Sequence, residues 1–308
     1  MCLIAFAIHA SPRWPLVIAA NRDEFFDRPT LPLAAWQTQK GTTVVSGRDV
    51  RAGGTWLGTT PGGRVAFLTN VREIATPTQS YPFSRGALVM HWLDGDMNAE
   101  AFMARTDSRR YGGFNLVVGD WQTGNWTWLS NRSFAAGRSA PQFPGDGWCS
   151  RSLGPGVYGL SNAALNTPWP KTVALRAVVA GAVDPENGAN KEAGLALDES
   201  ELWSALASRT RAKPGELPQT GLPLALEEVL SSAFVDSSER AYGTRCSTLL
   251  VANRHSEMTS SMSRTTVRLE EKTYLPSRQG ATHTDDRDVH IRVSQVLEWE
   301  PADQKLCE

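Results

Sequence analysis

A layered α+β architecture resting on mainly antiparallel sheet is the fold class the sequence predicts, and three observations predict it. Short apolar runs near the N-terminus are joined by turn residues into hairpins, a group of helical patterns interrupts them, and strand patterns return near the C-terminus. Strands joined by hairpins pair antiparallel, and helices clustered between blocks of such strands make layers.

The first strand, residues 2–9, meets a turn of Ser11, Pro12, Arg13, Trp14 and Pro15 and a second strand at 16–20. This hairpin returns Asn21, Arg22, Asp23 and Glu24 to the level of Cys2. Further strands are expected at 43–46, 55–58 and, after the Pro61-Gly62-Gly63 turn, 64–70. Helices at 84–93 and 99–105 precede a hairpin of 114–119 and 126–130 about Gln122-Thr123-Gly124. A strand at 158–162, helices at 170–180, 200–208 and 224–232, and strands at 247–253 and 265–269 complete the order. Stretches 184–198 and 278–288, rich in Gly, Asn, Thr and charge, read as surface loops. No repeat and no sharp change of composition divides the chain, so one domain over 1–308 is expected.

The totals exclude several classes. With 31 Lys+Arg against 32 Asp+Glu, the net charge of -1 offers no strong attraction to nucleic acid or anionic membrane. The opening twenty residues lack a basic n-region and are broken by His9, Ser11, Pro12, Arg13 and Pro15, so they read as strands rather than as a signal peptide. No apolar run has transmembrane length. Cys2, Cys149, Cys246 and Cys307 are scattered without metal or haem-attachment spacing, which points to a reducing, cytoplasmic setting and to no metal site. Nucleotide-binding glycine loops, H-E-x-x-H and G-x-S-x-G are missing from the sequence.

Cys2 is the most informative placement. Removal of Met1 leaves one residue with both a thiol and an α-amine, and an amine with a pKa of about 7.7–8.0 can accept the thiol proton at neutral pH. Arg22 near the sulfur would favour thiolate, and the carboxylate of Asp23 or Glu24 would orient the amine. The plainer reading is a chance cysteine on an edge strand beside a solvated turn; the two features together favour a site. Strands also end in Thr69-Asn70, in Ser161-Asn162, and in Arg245 ahead of Ser247-Thr248. Asn amides can steady an oxyanion and Arg can hold an anion, although such residues also close turns. Gly53-Gly54 reads as a tight turn or a close backbone approach beside the site.

Met1-Cys2, Asn21-Arg22-Asp23-Glu24, GRDVRAGGTWLG (47–58), LTNVRE (68–73), GFNLVV (113–118), GLSNAALNTPWPK (159–171) and YGTRCST (242–248) occur in an order that resembles the NRDE, or Transport and Golgi organisation two, family. The resemblance runs from residue 1 to about 270. That family is similar to N-terminal nucleophile hydrolases such as bile-salt hydrolase and penicillin V acylase. It implies a four-layer αββα sandwich of two mainly antiparallel sheets, acting on a non-peptide amide C–N bond without a cofactor. By motif it implies Cys2 as nucleophile, with Arg22, Asp23, Asn162 and Arg245 as catalytic residues. Asn21, Glu24 and Asn70 are the expected substrate or oxyanion contacts. The acylases separate their Arg and Asp by two residues, whereas Arg22 and Asp23 are adjacent, so one of the two points elsewhere and the sequence leaves open which.

The family is also associated with haem mobilisation, so a haem carrier without hydrolase activity is the alternative. His9, His91, His255, His283 and His290, the six Met and the cysteines, Cys2 among them, would be its candidate axial ligands, Arg22 or Arg245 would face the propionates, and some of the eleven Trp would line the pocket. The ligand is then a small-molecule amide or haem.

Overall fold

In the first strand, β1 (Cys2–Ile8), the side chains of Ile4, Phe6 and Ile8 leave one face and those of Leu3, Ala5 and Ala7 the other, and both sets are buried. A strand apolar on both faces needs a layer on each side, and the rest of the chain supplies them. The computed structural model describes residues 2–73, 80–134, 141–184, 197–256, 263–274 and 289–299.

After β1 come β2 (Leu16–Phe25), β3 (Thr30–Gln37), β4 (Thr43–Asp49), β5 (Leu57–Thr59) and β6 (Arg64–Asn70), then helices α1 (Gly86–Leu93) and α2 (Ala99–Arg105). Strands β7 (Phe114–Asp120), β8 (Asn125–Ser130), β9 (Cys149–Ser152) and β10 (Gly156–Leu160) lead to α3 (Pro170–Val183), α4 (Glu199–Ala207) and α5 (Leu224–Val229). The chain closes with β11 (Asp236–Ser237), β12 (Tyr242–Ser256), β13 (Ser263–Tyr274) and β14 (Val289–Trp299).

Among the described residues the strands form two antiparallel sheets. One has the order β10-β1-β2-β12-β13-β14, with β11 on β12; the other is the meander β3 to β9. Ile4, Phe6, Ile8, Leu16 and Ile18 pack between the sheets against Val65, Phe67, Val117 and Trp126. Leu3, Ala5, Val17 and Ala19 pack outward on Leu175, Val179, Leu202 and Leu206 of α3 and α4. On the second sheet's outer face Ala66, Leu68 and Leu116 meet Leu88, Trp92 and Phe102 of α1 and α2. The expected four-layer αββα sandwich is the one observed.

Several elements differ from expectation for identifiable reasons. The Asn21 to Glu24 run lies within β2, because β12 pairs with it as far as Phe25 opposite Tyr242, a partnership more than 200 residues away that no local pattern signals. Edge strand β3 was hidden by Pro32 and by having only Leu33 buried. Edge strand β9 is polar and mostly exposed, and β14, also unforeseen, borders the first sheet. Helix α1 begins at Gly86, α5 ends at Val229, and β12 and β13 extend well past 247–253 and 265–269. Loop 278–288, His283, Cys307 and most of loop 184–198 lie outside the described residues.

Phe6 lies at the centre of the inter-sheet layer, stacked on Tyr158 at 5.3 Å and edge-on to Phe67 at 4.9 Å. Phe6→Ala is therefore expected to lower the unfolding free energy by about 3–5 kcal/mol, read by urea denaturation.

Candidate active site

Antiparallel register brings the first residues of the site together. Cys2 pairs with Arg22 on β2, and Arg22 pairs with Cys246 on β12. All three occupy inter-sheet positions at one end of the sandwich. Cys2 and Arg22 meet the second sheet's end there at a cavity of about 70 Å3, which Cys246 does not line. Cys2, Arg22, Asp23, Glu24 and Asn70 line it, as the sequence anticipated. Arg28, Asp49, Thr55, Trp56 and Arg85 line it too, and were not anticipated. Asp49 and Trp56 belong to the GRDVRAGGTWLG segment and could have been drawn from it; Arg85 carries no motif signal.

The Gly53-Gly54 pair of that segment acts where foreseen. Gly53 has a φ of +73°, and a Cβ on Gly54 would lie 2.5 Å from the backbone of Gly86. The close approach sets the start of α1, with Arg85 ahead of it, against Thr55 at the cavity edge.

Charge within the cavity is shared rather than isolated. The Arg22 guanidinium lies 3.7 Å from Asp49 and 3.8 Å from Glu24, donates to Thr30 Oγ1 at 3.3 Å, and stacks 4.4 Å from the Trp56 ring centre. Arg28 donates to Asp49 Oδ2 at 2.6 Å. Burial pushes the Cys2 thiol up; Asp23 adds to the rise, while Arg22 opposes it. Asp23 accepts from Thr244 Oγ1 at 2.7 Å. Its carboxyl is also raised by burial, against Lys171, Thr244 and Arg22, which favour the carboxylate.

The two sheets are stitched together beside Cys2. Ser161 Oγ donates to the Cys2 carbonyl at 3.2 Å, and Thr69 Oγ1 to the Ser161 carbonyl at 2.5 Å. Asn162 Nδ2 donates to the Asn70 carbonyl at 2.8 Å, and the Arg72 amide to the Asn162 carbonyl at 2.7 Å. Asn115, from the GFNLVV segment, donates to Thr69 Oγ1 and to the Ala163 carbonyl. Asn162 thus fixes the backbone of Asn70, a cavity-lining residue whose side chain has no hydrogen-bond partner among the described residues.

Three expected site residues stay out of the cavity: Asn162, expected at the oxyanion, commits its side-chain amide to the Asn70 carbonyl instead, and Asn21 and Arg245 are turned elsewhere. Asn21 alternates to the helix-facing side, where its amide donates to the Leu206 and Ala233 carbonyls at 2.8 and 2.9 Å and accepts from Ser247. Arg245 is the extra residue of a bulge between Thr244 and Cys246. Its guanidinium donates to the carbonyls of Phe25, Phe26 and Arg28, clamping the turn after β2 instead of entering the cavity. The adjacent Arg22 and Asp23 both line the cavity, with Arg22 toward Trp56 and Asp23 toward Thr244.

Behind Asp23 lies a buried charged cluster. Lys171, the last residue of GLSNAALNTPWPK, donates to the Leu230 carbonyl at 2.7 Å, and Arg72 pairs with Glu227. Neither role was foreseen. Of the His candidates, His91 sits with Met90 and Met97 on an open groove of about 960 Å3 at the opposite end of the sandwich. Among the described residues, no His or Met lines the Cys2 cavity.

A four-layer sandwich that seats a buried cysteine at the start of its first strand, facing a charged cavity, is the class that this fold and site define. The profile of the Transport and Golgi organisation 2 family matches residues 1–266. The Mus musculus Transport and Golgi organization 2 homolog is 30% identical over 292 residues, 89% of this chain and 98% of that protein. The Homo sapiens homolog is 29% identical, covering 84% of this chain and 91% of its own. The chain belongs to the Transport and Golgi organisation 2 family. Looser likenesses exist among solved structures. A variant of conjugated bile acid hydrolase from Clostridium perfringens has a TM-score of 0.43 at 7% identity, over 96% of this chain and 97% of that one. Penicillin V acylase from Agrobacterium tumefaciens has 0.36 at 12% identity, over 85% and 84%.

Burial lowers the Lys171 ammonium from 10.5 to about 8, with Asp23 opposing. Between those values the unfolded chain binds more protons than the folded one, so this group makes stability rise with pH from about 8 to 10. Relative to wild type, Lys171→Met should lose that rise when the two are compared by urea unfolding at pH 7.5 and pH 10. An unchanged difference at the two pH values would contradict the assignment.

Proposed function

We propose that this chain is a cysteine amidohydrolase of the N-terminal nucleophile type, acting on a non-peptide amide with Cys2 as nucleophile. The observation that carries the reading is the convergence of Cys2, Arg22, Asp23 and Asn70 on one small polar cavity. The motif order supports it.

A buried thiol with a raised pKa is protonated at neutral pH and needs a base. Loss of Met1 supplies one in the Cys2 α-amine, close in sequence and space to the thiol, with Asp23 to orient it. The amine takes the thiol proton and the sulfur bonds to the amide carbon. The carbonyl π electrons move to oxygen, and the Asn70 amide, held through its backbone by Asn162, donates to that oxyanion. Collapse breaks the C–N bond, and the α-ammonium gives its proton to the departing amine. Water, deprotonated by the same α-amine, adds to the thioester, releasing a carboxylic acid and restoring the thiol. Arg22 would sit near the developing charge, its field moderated by Glu24 and Asp49.

In the haem-carrying alternative the Cys2 thiolate would be the iron ligand. No observation at this end of the molecule favours that role.

The test is steady-state hydrolysis across a panel of N-acyl amides by the protein freed of Met1. Cys2→Ala should reduce kcat/KM by at least about 10³-fold without lowering the melting temperature appreciably. Asn70→Ala should cost about 10²–10³ in kcat with little change in KM. Full turnover by Cys2→Ala would refute the nucleophile assignment.

A further inference from the structure

We infer that Lys171 is a positioning residue of the Cys2 site: its charge, buried behind Asp23, keeps that side chain a carboxylate available to the Cys2 amine. Lys171 is no part of the cavity wall, so it acts through Asp23 rather than on a substrate. The inference rests on the hydrolase reading only for what the carboxylate then does.

The placement comes from α3 and from one short segment that covers it. Leu175 packs with Leu3 on the helix-facing side of the first sheet, and Leu3 is paired with Asn21. Lys171 lies one turn before Leu175 on the same face of the helix, and Asp23 lies two residues beyond Asn21 on the same face of β2. Both are buried. Segment 230–235 ties the two positions together. Its Leu230 carbonyl accepts from Lys171 Nζ at 2.7 Å and its Ala233 carbonyl from Asn21. Its Val235 amide donates to Thr244 Oγ1, which itself donates to Asp23 Oδ1.

The surrounding charges decide the role. Arg72, the other buried cation behind Asp23, is paired with Glu227, which also accepts from Thr220. Arg22 is shared between Glu24 and Asp49. Tyr242 donates to the Asp23 carbonyl and is held neutral by burial. Lys171 has no carboxylate at ion-pair distance among the described residues, and its hydrogen bond goes to a neutral carbonyl. The anions within its field are Asp23 and Glu227, with the Cys2 thiol beside them. Since Arg72 already balances Glu227, Asp23 is the carboxylate that Lys171 balances.

Burial drives the Asp23 carboxyl towards its neutral form, and a neutral Asp23 could not support the α-ammonium that forms when the thiol gives up its proton. Burial also loosens the proton of Lys171, to about 8, which still leaves the ammonium in place at neutral pH. Each of the two buried charges is thus tolerated because of the other.

Carbon-13 NMR of the full chain freed of Met1 and labelled at aspartate Cγ reads the Asp23 titration directly, with Asp23→Asn to assign its signal. Lys171→Gln keeps a donor for the Leu230 carbonyl and removes the charge. It should move the Asp23 titration to higher pH by at least about one unit, because a nearby cation favours the carboxylate, whereas Lys171→Arg should leave it near the wild-type position. Against N-acyl amides Lys171→Gln should lose about tenfold in kcat at about pH 6 with little change in KM and recover as the pH rises. Loss of a merely structural contact would not give that profile. Melting curves confirm folding, and Lys171→Met carries the test if the Gln variant does not fold. An Asp23 titration unmoved by loss of the charge, or moved equally by Lys171→Arg, would overturn the inference. A moved titration with no amide turned over would leave the assignment of Lys171 to Asp23 standing and defeat the hydrolase reading; turnover with an unmoved titration would do the reverse.

Discussion

The site depends on how two separate sheets are held at one end. Cys2, Arg22 and Asp23 belong to the first sheet, while Asn70, Asp49 and Trp56 belong to the second or to its loops, and no strand is shared between the two. Apolar packing about Phe6 and Phe67 holds the layers together but is tolerant of small slides. The direction-sensitive constraint is the polar seam of Thr69, Asn70, Asn115, Ser161 and Asn162, whose buried donors and acceptors meet across the interface. Because a buried polar group left without its partner costs about 1–3 kcal/mol, a slide that broke this seam would be opposed several times over. The seam thus sets how far Asn70 stands from the Cys2 sulfur.

Electrostatics then distinguishes two cysteines on the same face of the same sheet. Cys246 lies two strands from Cys2, is fully covered, and has its thiol raised far above the ordinary range by burial, with Glu271 adding to the rise. Cys2 feels the same burial, yet opens on the cavity and has Arg22 directly across the ladder. Arg22 in turn is tempered by Glu24, Asp49 and the Trp56 face, so it favours thiolate without holding a permanent one. On this account Cys2 is a nucleophile only on demand, and Cys246 is structural.

Much of this was legible in the sequence because the information is local. A hairpin of known length places Cys2 opposite Arg22, and motif order names the strand ends that gather around it. What escaped depends on features that residue type and spacing do not encode. Asn21 and Arg22 are neighbours in one motif, and strand alternation together with the Leu206 and Ala233 carbonyls sends Asn21 to the helix layer. Arg245 is diverted by a single bulged residue that the YGTRCST segment does not announce. Arg85 enters through the close contact of Gly54 with Gly86, and Lys171 through the way α3 packs behind Asp23, both of them tertiary facts. The edge strands β3, β9 and β14 escaped because an edge needs only one good face or none.

The central claim is that Cys2, freed of Met1, forms an acyl bond through its sulfur. Intact-mass spectrometry of the native protein, acid-quenched during turnover of an N-acyl amide and followed by peptide mapping, tests it most directly. The account predicts a mass lacking Met1 and an acyl increment on the Cys2 peptide that hydroxylamine removes. Retained Met1, or turnover with acyl label on no residue or on another one, would contradict it.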